Sequence, residues 1–109
     1  MCPLSYQEMG LAQSADKQLL NLVLKKPKQY VFKEFHSAGK IFELICHKDK
    51  IVIAKSQQQR IVDWYHDYLG HPGINRTEET ICQHLWWPKM RDHITSVVST
   101  CLSCQHNKR

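Results

Sequence analysis

The spacing of hydrophobic positions divides the chain into a helical beginning, a middle that favours strands, and a helical second half. Four apolar residues recur at helical spacing after Ser14, which can cap a helix, and Pro27 would end that helix. Residues 1–10 show no such period. The pattern therefore predicts a helix that begins at Ser14 and is preceded by an irregular lead-in.

The middle of the chain predicts a small antiparallel sheet. Three runs of β-branched and aromatic residues are separated by turn signals at residues 37–39 and 48–50. The runs are residues 30–35, 41–46 and 51–54. A three-stranded meander of this size is not stable alone, so we expect it to pack on a helix.

Three further helices are predicted after the strands. Ser56 and Gln59 have the spacing of a capping box, and Gly70 is a residue that ends a helix. A proline is favoured in the first turn of a helix, which places the last start after Trp87. The predicted first residues are Ser56, then Asn75 or Thr77, then Pro88. The fold class predicted from these elements is α+β.

Charge changes this picture, because it is spread unevenly. The chain has 109 residues and a net charge of +5, a size that fits one small domain, or a domain with an extension. Residues 1–60 hold ten Lys and Arg against five Asp and Glu, whereas residues 61–109 hold five of each. If nucleic acid is the partner, the attraction comes from the first half. Ordinary solvated surface charge is the alternative.

Composition narrows the class of protein further. No apolar run approaches 20 residues, so no membrane span is expected, and the first residues do not form a secretion signal. Five cysteines without such a signal indicate a reducing compartment. In that setting, paired cysteines are more often metal ligands than disulfides.

Two spaced pairs carry the strongest chemical signal. His66-x4-His71 is followed by Cys101-x2-Cys104, and two imidazoles with two thiols can close a tetrahedral zinc site. Five positions apart on an unbroken helix, the histidines would diverge by roughly 140°. Gly70 resolves this, because a helix that ends there keeps His66 on its last turn and lets His71 turn back.

The predicted site holds one structural zinc ion. Four protein ligands leave no open coordination position, so the ion is not expected to activate water, and an independent zinc enzyme is disfavoured. The alternative is a set of surface histidines and buried cysteines. The other histidines and cysteines near these elements are not expected to bind the metal, and the two mid-chain cysteines are expected to be small core residues. These are Cys46, His47, Cys82, His84 and His106.

Five aromatic residues near the predicted site have two interpretations. They are Trp64, Tyr65, Tyr68, Trp86 and Trp87. Core packing around the metal is favoured, because small zinc folds need large side chains. Stacking with nucleic-acid bases is the alternative. Trp64 is expected to be the most exposed of the set.

Several runs resemble the His-His-Cys-Cys zinc domain of retroelement integrases, most closely those of gypsy-type LTR retrotransposon pol polyproteins. The runs are Trp64-Tyr-His-Asp-Tyr-Leu-Gly-His-Pro-Gly73, Arg76-Thr77, Trp86-Trp-Pro-Lys-Met90, Asp92-His-Ile94 and Cys101-x2-Cys104-Gln105. A weaker likeness to the same polyproteins extends upstream through Lys50-Ile-Val-Ile53 and Ser56-x-Gln58-Gln-Arg60.

The resemblance implies a zinc-stapled three-helix bundle with a helix-turn-helix, held by His66, His71, Cys101 and Cys104. We accordingly expect an N-terminal extension of helix and sheet at residues 1–55 and the zinc-binding domain at residues 56–109. In the family, this module precedes a catalytic domain that uses carboxylates, and no carboxylate follows Asp92 here. The chain is therefore expected to be a polyprotein fragment that is not an enzyme on its own.

The resemblance also implies partners. The module would assist binding of the element's DNA ends and integrase self-association, inside the cell, in the nucleus or in a virus-like particle. Candidate DNA contacts are Lys25, Lys26, Lys28, Asn75, Arg76, Lys89 and Arg91, with solvated surface charge as the alternative. A protein–protein interaction module without DNA binding is the second hypothesis. No membrane and no small-molecule substrate are expected.

Overall fold

A computed structural model describes residues 3–70 and 73–101, which form a mixed α+β fold. Its elements in chain order are α1 (Tyr6–Ala15), α2 (Lys17–Lys25), β1 (Val31–Ser37), β2 (Lys40–His47), β3 (Lys50–Val52), α3 (Lys55–Tyr68), α4 (Ile74–Ile81), β4 (Leu85–Trp86) and α5 (Met90–Ser99). Within those residues, no helix is both long and apolar enough to cross a lipid bilayer.

The first helix, α1, occupies much of the stretch predicted to be irregular, so that prediction is wrong. A complete capping box starts α1: the Ser5 hydroxyl accepts from the Glu8 amide at 3.1 Å, and the Ser5 amide donates to the Glu8 carboxylate at 3.2 Å. Met9 and Gln13 are the residues that α1 buries. A face with so few apolar residues leaves almost no helical period for sequence reasoning to detect.

Asp16 starts two helices at once, and this corrects two predicted starts. One of its carboxylate oxygens accepts from the Leu19 amide at 3.1 Å and caps α2. The other accepts from the Lys55 amide at 2.9 Å, at the first residue of α3. Ser14 lies inside α1, and α3 has no capping bond from its own flanking side chain, so the Ser14 cap and the Ser56 capping box are wrong.

The predicted three-stranded meander is confirmed, and a fourth strand extends it. The sheet order is β1-β2-β3-β4, with the first three strands antiparallel. Ala38 and Gly39, then Lys48 and Asp49, make the two hairpin turns with positive φ. The short strand β4 pairs in parallel with β3, in a segment predicted to be only a connection between helices.

A buried side chain joins β2 to β3 where their pairing stops. The ladder between these strands ends at Cys46 and Ile51. Beyond it, the Gln13 amide nitrogen donates to the carbonyls of Ile45 at 3.1 Å and Val52 at 2.7 Å, and its oxygen accepts from the Ile45 amide at 2.9 Å. Gln13 thus satisfies backbone groups that would otherwise be buried without partners.

One hydrophobic core runs through both halves of the chain. Its buried members include Met9 from α1, Leu44 from β2, Ile61 from α3, Ile81 from α4 and Ile94 from α5. The sheet therefore packs on helices, as expected. The division into residues 1–55 and 56–109 stays a prediction, and the two segments share this core.

The starts of the last two helices also differ slightly from the predictions. Helix α4 begins at Ile74 with Gly73 as its N-cap, one residue before Asn75. Helix α5 begins at Met90, two residues after Pro88. Lys89 occupies the N-cap position of α5 with φ of 61° and makes no side-chain capping bond.

Candidate metal centre

Helices α3, α4 and α5 pack against one another and frame the candidate centre. Each of the three contacts the other two. Tyr65 of α3, Ile81 of α4 and Ile94 of α5 are buried in their shared interior, together with Trp87. A second contact joins α3 to α5, where a ring nitrogen of His93 lies 3.0 Å from the side-chain oxygen of Gln59. The ends of these helices are therefore held in place by the core.

His66 lies on the last turn of α3 and is only 3% exposed. The helix ends as the sequence predicted: the Leu69 amide donates to the Tyr65 carbonyl at 3.0 Å, and the Gly70 amide donates to the Asp67 carbonyl at 3.1 Å. Gly70 then adopts φ of +79°, a conformation that costs glycine little. A buried imidazole is thus presented directly before a sharp change of chain direction.

Cys101 follows the last turn of α5 in a similar way. Its amide donates to the Val98 carbonyl at 3.3 Å, and its side chain is half-buried. The described residues therefore place one imidazole and one thiol at the C-terminal ends of two packed helices. Nitrogen and sulfur donors of this kind are the ligands that structural zinc prefers.

The other two predicted ligands, His71 and Cys104, lie outside the described residues. Within residues 3–70 and 73–101, no three side chains of ligand type converge on one point. The four-ligand set therefore stays a prediction. The two ligands that the structure describes, His66 and Cys101, fit zinc by their donor atoms and by their positions at the ends of helices.

The other ligand-type residues in the described chain have different surroundings. Cys46 is fully buried, its thiol donates weakly to the Leu44 carbonyl, and burial raises the pKa of that thiol. Cys82 is half-buried at the end of α4, where its thiol contacts the Glu79 carbonyl. Cys46 therefore behaves as the small core residue that was expected.

The aromatic set divides between core and surface. Trp87 and Tyr65 are buried, which supports core packing for these two. Trp64 is half-buried and stacks on Tyr68, with ring centroids 5.0 Å apart and planes at 7°. Tyr68 is 66% exposed, so the expectation that Trp64 would be the most exposed is wrong. The spacing of i and i+4 on α3 produces this stacked pair.

The candidate DNA contacts also fall into groups. Arg91 donates to the Glu78 carboxylate at 2.6 Å and to the Asn75 side-chain oxygen at 2.9 Å, which ties α5 to α4. Arg76 and Lys89 are exposed. The structure also exposes Lys25, Lys26 and Lys28, which lie at and beyond the end of α2. Arg91 and Asn75 are thus already engaged in contacts between helices, whereas the other candidates are exposed cations.

Sequence reasoning missed one group of polar side chains at the β2–β3 turn. His47 stacks on Trp86, with ring centroids 3.8 Å apart and planes at 10°. Lys33 on β1 pairs with Asp49 in the turn. From the sequence, residues 48–50 were predicted only to form a turn. Which side chains of β1 and β4 lie beside that turn depends on the register of the strands. A strand predicted at Leu85–Trp86 could have placed Trp86 in the sheet near His47 and so indicated the group.

The described geometry defines a small α+β module that carries an imidazole and a thiol at the ends of two packed helices. Residues 53–109 match the family model described as integrase zinc binding domain. The match spans more than half of the chain, and the chain belongs to this family. It confirms the resemblance to an integrase zinc domain inferred from the sequence, and it implies zinc as the metal.

Proposed function

We propose that this chain is the zinc-binding N-terminal module of a retrotransposon integrase, and that it assists DNA-end binding and self-association. The family match across residues 53–109 carries the proposal. The positions of His66 and Cys101 at the ends of α3 and α5 support it, because a metal held there would join the two helices. The module would act inside the cell, in the nucleus or in a virus-like particle.

His66, His71, Cys101 and Cys104 would hold one zinc ion. When bound, the ion would cross-link the chain segments that carry its ligands. It would not activate a water molecule, because four protein ligands leave no open coordination position. The chain would therefore not be an enzyme on its own. In this proposal, α3 and α4 form the helix-turn-helix, since residues 82–89 between α4 and α5 include a strand and exceed the usual turn.

Metal content tests the ligand assignment. The purified chain is expected to contain one zinc ion, and Cys101→Ser should lose it because a serine hydroxyl is a poor zinc ligand. Cys82→Ser is the matched control, since this half-buried cysteine is outside the proposed set. Zinc retained by Cys101→Ser, or lost equally from the control, would contradict the assignment.

A salt titration tests the DNA role. The exposed candidates Lys25, Lys26 and Lys28 and Arg76 on α4 would contact phosphates, so binding to a duplex end should weaken steeply as salt rises. Arg76→Gln should make the dependence less steep, by about one unit in the slope of log affinity against log salt. Absence of binding at low salt would count against this role.

A second candidate function is a protein–protein interaction module without DNA binding. The stacked Trp64–Tyr68 pair favours it, because the Tyr68 ring is exposed and Asp63, which precedes Trp64 on α3, carries a charge that disfavours phosphate. Sedimentation at several concentrations distinguishes the two. Mass that rises with concentration in the absence of DNA supports self-association, whereas a strict monomer that binds DNA excludes this candidate.

A further inference from the structure

A cationic cleft lies beside the β2–β3 turn, away from the candidate metal centre. It measures about 510 Å³, and its lining includes Lys28, Lys33, His47, Lys48 and Asp49. That volume falls within the range of about 300–1,000 Å³ that is usual for small-ligand sites. What distinguishes this cleft is charge, because four of the seven described residues that line it are Lys or Asp. Its size and lining therefore favour a small anionic group.

Two cations in this cleft are available to a ligand. Lys33 pairs with Asp49, so the one carboxylate in the lining is already compensated. In the part of the chain that the structure describes, no carboxylate lies within ion-pair distance of Lys28 or Lys48, and both are exposed. The cleft thus carries two positive charges that have no partner carboxylate among the described residues.

The hairpin turn holds one of these cations in a defined position. Lys48 and Asp49 have φ of 49° and 67°, and the flanking His47 and Lys50 are paired across the ladder. A two-residue turn of this kind leaves the backbone little freedom. The base of the Lys48 side chain is therefore placed in advance, which reduces the entropy lost when an anion binds.

His47 forms the wall of the cleft and is oriented by aromatic contacts. Its ring stacks on Trp86 at 3.8 Å and lies 5.4 Å from the Tyr30 ring, measured between centroids. Burial, then the charges of Lys48 and Lys50, lower the pKa of His47. A neutral imidazole can still donate an N–H to an oxyanion. Because His47 covers one face of Trp86, a nucleic-acid base cannot stack on that face.

We propose that this cleft binds a backbone phosphate of nucleic acid, with Lys28 and Lys48 supplying charge and His47 a hydrogen bond. The inference rests on the proposed DNA role and locates part of it on the sheet. Phosphate contacts carry no sequence information, so recognition by this cleft should be independent of base sequence.

The test compares two double variants of the full chain that remove equal charge. Lys28→Gln with Lys48→Asn empties the cleft of its available cations, and Asn is well tolerated at the positive φ of residue 48. Lys17→Gln with Lys40→Gln is the control: both residues are exposed, and Lys40 lies at the opposite end of β2 from His47. Circular dichroism confirms that each variant is folded.

The first readout is the salt dependence of binding to a mixed-sequence duplex. The cleft variant should bind more weakly, and its slope of log affinity against log salt should be shallower by about 2, one for each lysine. The control should keep the wild-type slope. Equal slopes for the two double variants would overturn the cleft while leaving the proposed DNA role intact.

The second readout follows the His47 ring by NMR, with His47→Gln used to assign its resonance. Adding tripolyphosphate should raise the pKa of His47 in the wild type and the control, because an anion offsets the neighbouring lysines. The rise should be absent in the cleft variant. Without ligand, that variant should already show a higher pKa of His47, since the charge of Lys48 is gone.

The two readouts separate failure of the inference from failure of the proposed function. If the wild type binds no DNA, the DNA role fails. In that case, a tripolyphosphate effect that the cleft variant lacks would assign the cleft to free phosphate compounds and overturn its nucleic-acid role. If neither ligand moves the His47 resonance of the wild type, no phosphate binds in the cleft and the inference is wrong.

Discussion

Single residues fix the backbone at positions that the pattern of apolar residues does not reveal. Gly70 ends α3 with φ of +79°, and, apart from Gly70 and its chain neighbours, no atom of the described residues lies within 4 Å of where a β-carbon would stand. Gln13 is buried with three hydrogen bonds to two strands. The role of Gly70 was predicted from the sequence, because glycine after a helix is a local signal. The role of Gln13 was not, because its partners lie more than 30 positions away in the chain.

Gly70→Ala is expected to destabilise the fold by about 1 kcal/mol, since the strain comes from the positive φ and not from a clash. Gly70→Asn should lose less, because asparagine tolerates this region better. Urea unfolding of the zinc-loaded chain measures both. Equal stability of the alanine variant and the wild type would contradict a left-handed Gly70.

Gln13→Met is expected to cost about 3 kcal/mol, because it leaves the Ile45 amide and carbonyl and the Val52 carbonyl buried without their partner. Gln18→Met is the control, since Gln18 is exposed at the start of α2. Urea denaturation should show a lower midpoint for the first variant alone. Similar midpoints for both would show that Gln13 does not join the strands.

At the scale of elements, the starts of helices depend on residues far away in the chain. Asp16 caps α2 locally and α3 across 39 positions, whereas Ser56, which has the better local sequence, makes no capping bond. The short strand β4 is similar, because it exists through pairing with β3 and has only two residues. Both features are invisible to a window that moves along the sequence.

Asp16→Ala is expected to cost about 2 kcal/mol, because two helix starts lose a side-chain acceptor. Asp16→Asn should cost less, since an amide keeps one acceptor oxygen. Ser56→Ala should change stability by less than about 0.5 kcal/mol. Thermal unfolding of the three variants ranks them, and a large loss from Ser56→Ala would restore the capping box that the sequence predicted.

At the scale of the whole molecule, one core joins the sheet of the first half to the helices of the second. The proposed zinc site would lie at the periphery of that core, at the ends of α3 and α5. A shared core means that the stability of the two halves should be coupled, and loss of the metal should be felt beyond the helices that hold it.

Removal of zinc tests this coupling. Structural zinc contributes on the order of 10–16 kcal/mol in apparent terms, so chelation is expected to collapse the helical circular dichroism of residues 56–104. Adding zinc back should restore the signal, and magnesium should not. A helical spectrum that survives chelation would falsify the proposed structural role of the metal. Thermal unfolding of the chelated chain tests the coupling directly, because it shows whether the sheet stays folded after the metal is removed.

The sequence by itself determined the features that depend on near neighbours. The end of α3 at Gly70, the two hairpin turns, the α+β class and the integrase zinc-domain family all follow from residues close together in the chain. Spacing also selected His66, His71, Cys101 and Cys104 as the ligand set. Each of these inferences uses a local preference of the backbone or a fixed spacing of donor atoms.

Only the tertiary structure decided the features in which distant segments meet. The Gln13 bridge, the double cap at Asp16 and the tie between Arg91 and α4 depend on which elements pack together. The cationic cleft depends on strand register, which brings Lys33 to Asp49 and Trp86 to His47. Hydrogen bonds and charges act over a few ångströms in space, and sequence distance does not reveal that separation.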